Sequence, residues 1–305
     1  MSIGSQSSKV DQKDKLASKP GNETRSRPKR AKSAKGPMSN WHIIREQVKY
    51  IDLLIEVCDA RAPQSSRHPR VKEIFANKPV LLVLNKADLA DKTLLENYSN
   101  KLNKTSPEKS IALSVKSKQH RQAVLKLITQ MTAEKQKALA KKGINTPVVR
   151  ICVIGMPNVG KSSLINWLTG HKNVKVGNKP GVTKGPQWIK LQFGLELLDT
   201  PGILPRDNMD KKTNNILSML NLIKTDQSET ETLANETLSY LTERYPVAIK
   251  NYLDTENLDE INLETLAKKR NFLSSGGKYN LDRAGHTLLS DFGCGKLGGV
   301  FFDEV

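Results

Sequence analysis

Gly155-Met156-Pro157-Asn158-Val159-Gly160-Lys161-Ser162 is the stretch on which the reading of this chain turns. It has the spacing Gly, four residues, Gly-Lys-Ser, in which backbone N–H groups turn inward on phosphates at the start of a helix. The β-branched run Val148-Val149-Arg150-Ile151-Cys152-Val153-Ile154 precedes it, and Ser163-Leu164-Ile165-Asn166-Trp167-Leu168 follows with helical spacing. Strand, glycine loop and helix are the context such a loop requires, and they predict an α/β nucleotide fold. Lys161 is expected to reach the β- and γ-phosphates and Ser162 to ligate magnesium. Asn158, Val159, Gly160 and Ser163 complete the phosphate-loop residues expected at the nucleotide.

A second strand, Leu195-Glu196-Leu197-Leu198, leads into Asp199-Thr200-Pro201-Gly202. At that position Asp199 is expected to hold magnesium through water and the Gly202 amide to meet the γ-phosphate. Asp-Thr-Pro-Gly by itself is also an ordinary turn, and its place after a phosphate loop favours the functional reading. Between the two lies Pro180-Gly181-Val182-Thr183, where Thr183 is the expected second magnesium ligand. Lys161, Thr183 and Gly202 would then support the transition state, with no residue assigned as general base.

Asn85-Lys86-Ala87-Asp88 follows the apolar run Val80-Leu81-Leu82-Val83-Leu84. Asp88 can accept from both guanine N1–H and the exocyclic amine, a donor pair adenine lacks, so ATP would leave a carboxylate unpaired. Asn85 and Lys86 belong to the same guanine-reading set, and Ser114-Val115-Lys116, after Ile111-Ala112-Leu113, is expected to pack against the base through Ser114. This guanine motif precedes the phosphate loop, the reverse of the usual order, so the nucleotide fold is circularly permuted.

With these motifs, and with Asp59-Ala60-Arg61-Ala62-Pro63, Ser65-Ser66-Arg67-His68-Pro69, Gln187-Trp188 and Leu273-Ser274-Ser275-Gly276-Gly277, residues 36 to 305 closely resemble the circularly permuted ribosome-assembly GTPases of the RbgA/YlqF type. The resemblance implies an α/β P-loop GTPase fold, circularly permuted, with a small, mainly helical C-terminal domain. It also implies GTP and GDP as ligands with Mg2+. The implied role is binding the maturing large ribosomal subunit and its rRNA, promoting a late assembly step and leaving upon hydrolysis. One departure bears on catalysis: where the family carries Pro-Gly-His-Met, with a histidine proposed to help hydrolysis, this chain has Lys35-Gly36-Pro37-Met38. His42 reads as a partly packed helical residue and does not inherit that role. Ile203 stands where some GTPases place a water-positioning glutamine, so slow intrinsic turnover, raised by the ribosome, is expected. Asn158 occupies the position that holds potassium in related GTPases lacking that glutamine. K+ is therefore the expected source of transition-state charge, the alternative being that Asn158 only stabilises the loop.

Composition adds a partner. The 305 residues carry 49 lysines and arginines against 31 acids, a net charge of +18, with 5% aromatic residues. Such an excess favours a polyanion, held through phosphate contacts rather than base reading. Residues 1 to 37 hold ten lysines and arginines against Asp11, Asp14 and Glu23, a net +7 that leaves +11 for the remainder. This basic, apolar-poor tail is expected to be disordered when free, either an RNA-tethering arm or a solubilising extension. A second basic block, residues 116 to 142, carries Val124, Leu127, Ile128 and Met131 at helical spacing, so one face is expected to pack and the other to meet RNA or solvent. Cys58, Cys152 and Cys294 and the five histidines show no metal-ligand spacing. No signal peptide or membrane-spanning run is evident, and a cytoplasmic monomer is expected.

The domain division expected is a tail at 1–37, a permuted GTPase domain at 38–225, and a helical RNA- or ribosome-binding domain at 226–305. Two alternatives stay open: a GTP-gated RNA-binding scaffold whose hydrolysis is incidental, and the same role on an organelle ribosome.

Overall fold

Two mainly apolar runs, Leu53–Asp59 (β1) and Val80–Asn85 (β2), are buried at every position, Glu56, Asp59 and Asn85 included, as strands covered on both faces must be. They lie in a sheet with Lys109–Ala112 (β3), Val149–Gly155 (β4), Gln187–Lys190 (β5) and Leu195–Asp199 (β6), in the order β3-β2-β1-β4-β6-β5. Every pairing is parallel except that of β5 with β6. The computed structural model describes residues 45, 47–117, 119–144, 148–170, 187–191, 194–199 and 209–304. The basic tail, Pro37, His42, Thr183, Gly202 and Ile203 lie outside these.

Alternation along the strands divides the core into two layers. Leu53, Ile55, Val57, Ile151, Val153 and Leu197 face one side, and Leu54, Cys58, Leu82, Cys152, Ile154 and Leu198 face the other. The first layer is covered by Arg121–Lys141 (α3) and Lys161–Thr169 (α4); the second by Val71–Ile74 (α1) and Lys92–Thr105 (α2), through Phe75, Leu95 and Tyr98. In α3 the buried residues are Val124, Leu125, Ile128 and Thr132, while Leu127 and Met131 are only partly covered. The apolar stripe is thus rotated slightly from the one spacing predicts. Lys126, Lys135, Lys137, Lys141 and Lys142 are exposed, as the amphipathic pattern requires.

The remaining helices are Lys211–Met219 (α5), Thr230–Arg244 (α6), Pro246–Leu253 (α7), Leu263–Lys269 (α8) and Leu281–Gly293 (α9). Local chemistry starts them. Asp210, Asn262 and Asn280 each accept a backbone N–H of the first turn, and Pro246 opens α7 where its missing N–H costs nothing. Their buried leucines, including Leu217, Leu238, Leu266 and Leu288, are continuous with the first core layer.

The chain then returns to the sheet. Val300 exchanges backbone bonds with Leu89 and Asp91, and the Phe302 N–H donates to the Arg61 carbonyl at 2.8 Å. A Cβ on Gly299 would lie 2.6 Å from the Ala90 carbonyl oxygen, so no larger residue fits this crossing. Phe301 is buried against Tyr98, its N–H bound by the Tyr245 hydroxyl and its carbonyl by the Tyr240 hydroxyl, each at 2.8 Å.

Candidate nucleotide site

In an open parallel sheet the ligand crevice lies beyond the C-terminal ends of the strands, where successive connections leave in opposite directions. Here β1 connects to β2 and β3 on one side, and β4 returns to its other side. The phosphate loop leaves β4 at this switch point, the guanine motif leaves β2, and Asp199 ends β6 with its backbone beside Val153 of β4. The sheet therefore gathers at one edge the motifs that the sequence separates.

Within the phosphate loop Met156 and Val159 are buried, and Asn158 and Gly160 have φ of 59° and 97°. Gly160 precedes α4, whose first residues are Lys161, 7% exposed, and the half-buried Ser162 and Ser163. The loop is held from outside itself. Asn85 Nδ2 donates to the Val159 carbonyl at 2.8 Å, and Val115 N–H donates to Asn85 Oδ1 at 3.3 Å. A Cβ on Gly160 would lie 2.2 Å from Asn85 Nδ2. This close approach leaves the cradle open only to glycine. Asn85 thus ties the phosphate loop to the loop containing Ser114, and Trp167 Nε1, on α4, donates to the Ser117 carbonyl at 2.8 Å.

Asp88 is bonded by Lys116, Nζ to Oδ2 3.0 Å. Burial opposes ionisation of this carboxyl, but hydrogen bonds from Ser114 and Lys116 hold its pKa below the usual range. It is therefore anionic, as acceptance of two guanine donors requires. Lys86 adopts the left-handed φ of 60° and reaches Asp59 Oδ2 at 2.9 Å. Asn158 Nδ2 donates to the carbonyl of Asn221, just beyond α5, at 3.2 Å.

Sequence reasoning assigned no role to the residues behind this site. Asp59 is fully buried and receives Arg61 Nε at 2.9 Å, Arg61 Nη2 at 2.8 Å and the Arg61 N–H at 3.1 Å. Arg61 Nη1 continues to the Gly293 carbonyl at 2.9 Å and the Phe292 carbonyl at 3.4 Å. Nearby, Arg67 bridges Glu56 and Glu108, and Asp303 accepts from the Ser65 hydroxyl at 2.6 Å and from the Gln64 N–H. The advance signals were the motifs Asp59-Ala60-Arg61-Ala62-Pro63 and Ser65-Ser66-Arg67-His68-Pro69, and charge inside an apolar strand run, since Glu56 and Asp59 in Leu53–Asp59 need cationic partners.

Comparison with known proteins follows the geometry. A family model described as 50S ribosome-binding GTPase matches residues 150–263. Ribosome biogenesis GTPase A of Bacillus licheniformis is 34% identical over 264 residues, covering 86% of this chain and 93% of the relative. The chain belongs to the ribosome biogenesis GTPase A family. Among other family members, that of Thermotoga maritima is 28% identical, covering 86% and 89%. A GDP-bound YlqF structure is 25% identical with a TM-score of 0.59, covering 86% of this chain and 98% of that one. GNP-bound YlqF from T. maritima matches equally, with 25% identity and a TM-score of 0.59 over 87% and 98%. Membership in the ribosome biogenesis GTPase A family makes the chain a permuted P-loop GTPase, with GTP and GDP as its nucleotides. Among the described residues no helix is long and apolar enough to cross a membrane.

Proposed function

We propose that this GTPase is an assembly factor for a late step of large ribosomal subunit maturation, binding rRNA in its GTP state and leaving upon hydrolysis. The observation that carries the reading is a nucleotide edge bonded directly into the C-terminal helices, through Asn158 to Asn221 and Arg61 to Gly293. A change at the phosphates thereby has a route to a surface. Family relatives named for ribosome biogenesis supply the class of target. The net charge of +18 and the exposed lysines of α3 suit an RNA partner.

In this reading Asp88 accepts the guanine donors, Lys86 lies along the base, and Ser114 and its neighbours flank it. The amides from Asn158 to Ser163 cradle the phosphates at the start of α4, and Lys161 neutralises their charge. The start of α4, with Gly160 as its N-cap and the half-buried hydroxyls of Ser162 and Ser163 beside it, suits a nucleoside triphosphate with its cation. Ser162, with Asp199 through water and Thr183, would hold Mg2+, which when bound draws charge from the transferring phosphoryl group. Asn158 would hold K+ after leaving the Asn221 carbonyl, and Gly202 would sense the γ-phosphate. Intrinsic turnover is slow because Pro37 and Ile203 supply neither imidazole nor glutamine. The proposed setting is a cytoplasmic monomer.

GTP hydrolysis in potassium buffer, alone and with purified large or small subunits, tests this against a Lys161→Ala background. Stimulation by the large subunit alone is expected. GTP-dependent binding without stimulation by either subunit would replace this reading with an RNA-binding scaffold whose hydrolysis is incidental. Equal rates in potassium and sodium at matched ionic strength, with and without subunits, would remove the cation from the scheme.

A further inference from the structure

The ammonium of Lys86 sits on a carboxylate that already has a complete partner. Arg61 meets both oxygens of Asp59 in a forked pair, 2.9 Å at Oδ1 and 2.8 Å at Oδ2, which satisfies the buried anion by itself. Lys86 adds a second cation, 2.9 Å from Oδ2, and does so from a backbone conformation unfavourable for a side chain with a Cβ. Two cations and one anion leave one positive charge in excess in a buried setting. The carbonyls of Phe292 and Gly293, at the negative end of the thirteen-residue α9, lie on Arg61 and offset it. The motif Asp59-Ala60-Arg61 thus joins the base-reading loop to the end of a helix more than two hundred residues later in the chain.

We propose that Asp59 is the positioning residue of Lys86, and that Arg61, anchored on the last carbonyls of α9, fixes Asp59, so that affinity for guanine nucleotide depends on the seating of α9. The proposal rests on the reading of Lys86 as a base contact. Without the Asp59 anion, Lys86 faces the Arg61 guanidinium with no counter-charge and leaves its place along the base. Binding is reciprocal, so a bound nucleotide that orders Lys86 tightens the hold of Arg61 on α9 by the same factor.

A double-mutant cycle on the full chain, read as the dissociation constant of a fluorescent GDP, separates this from a merely structural role, with a thermal melt confirming that each variant is folded. Asp59→Asn is expected to weaken GDP about tenfold when Lys86 is present and to have little further effect in a Lys86→Met background. Equal losses in both backgrounds, or no loss in either, would overturn the positioning role. Unchanged GDP affinity in Lys86→Met alone would instead overturn the reading of Lys86 as a base contact. Should Asp59→Asn not fold, Arg61→Lys keeps a cation on Asp59 while giving up the fork and its reach to Gly293. It is expected to weaken GDP about threefold with Lys86 present and not with Lys86→Met; equal losses there would sink the proposal.

Discussion

The side-chain amide of Asn85 donates to the Val159 carbonyl at 2.8 Å, so the first residue of the guanine motif holds the phosphate loop. Its carbonyl oxygen receives Val115 N–H, and the side chain is thereby committed to two other loops at once. Asn85 is 1% exposed, the Val159 carbonyl it would abandon belongs to a buried residue, and Val115 is half-buried.

Asn85→Ala is accordingly expected to cost about 1–3 kcal/mol of stability. It should also weaken GDP and GTP together, because the loop that cradles their shared phosphates loses its brace. Chemical denaturation and calorimetric titration check the two parts. Weakened binding confined to GTP would contradict the brace.

Acid should act through Asp59. Burial alone would raise its pKa, but Arg61 and then Lys86 hold it near 2, below the ordinary 3.8. The unfolded chain therefore takes up this proton first. The stabilisation is complete above about pH 4 and is lost as pH falls toward 2, a contribution of about 2 kcal/mol. Urea unfolding of Asp59→Asn should show a flatter stability profile across that window than the parent.

His68 should shape the interval above it. Burial, with Arg70 adding repulsion, lowers its pKa from 6.5 to about 4, and its Nδ1 accepts the Arg70 N–H at 3.2 Å, which a proton there would forbid. The unfolded chain protonates this imidazole first, so stability is full above about pH 6.5 and declines as pH falls to 4, by at most about 3 kcal/mol. His68→Asn, whose carbonyl oxygen can replace Nδ1 as acceptor, should remove this slope while leaving the steeper acid limb.

Phe301→Ala is expected to destabilise by about 3 kcal/mol or more, as buried aromatic truncations do. Phe301 is 2% exposed, and Tyr98 loses its ring neighbour. Tyr240→Phe, which removes only the hydroxyl from the Phe301 carbonyl, should cost about 1 kcal/mol. Equilibrium urea curves rank the two, and an equal cost would mean that the hydroxyl, not the ring, seats this segment.

Much of the fold was legible because its signals are local. An apolar run such as Val80–Asn85 declares a doubly covered strand, and the glycine spacing before Lys161 declares the phosphate loop. Asn85, Asp88 and Gly160 were assigned to the expected nucleotide site from their motifs, and the fold brings their loops to one end of the sheet. What stayed hidden depends on partners distant in sequence. Nothing near Asp59 reveals that Lys86 shares it, and nothing near Arg61 reveals the carbonyl of Gly293. The rotation of the α3 stripe toward Leu125 and Thr132 was equally illegible, because which side of an amphipathic face is covered depends on what packs against it. The return of Val300–Asp303 across the sheet carries no periodic signature, being held by single hydrogen bonds and two aromatic rings.

The strand order has a consequence for synthesis. β1 lies inside the sheet yet emerges first, with one edge bare until Ile151 to Gly155 of β4 arrive to pair with it. Arg61 and Asp59 emerge with it, and their buried charges gain the Gly293 carbonyl only when α9 has been translated. Domains that fold from their N-terminus can close as they leave the exit tunnel. This chain must keep the β1 edge bare until β4 is made and the Asp59–Arg61 charges incompletely compensated until α9 follows, both exposed meanwhile to whatever nascent-chain chaperones are at hand.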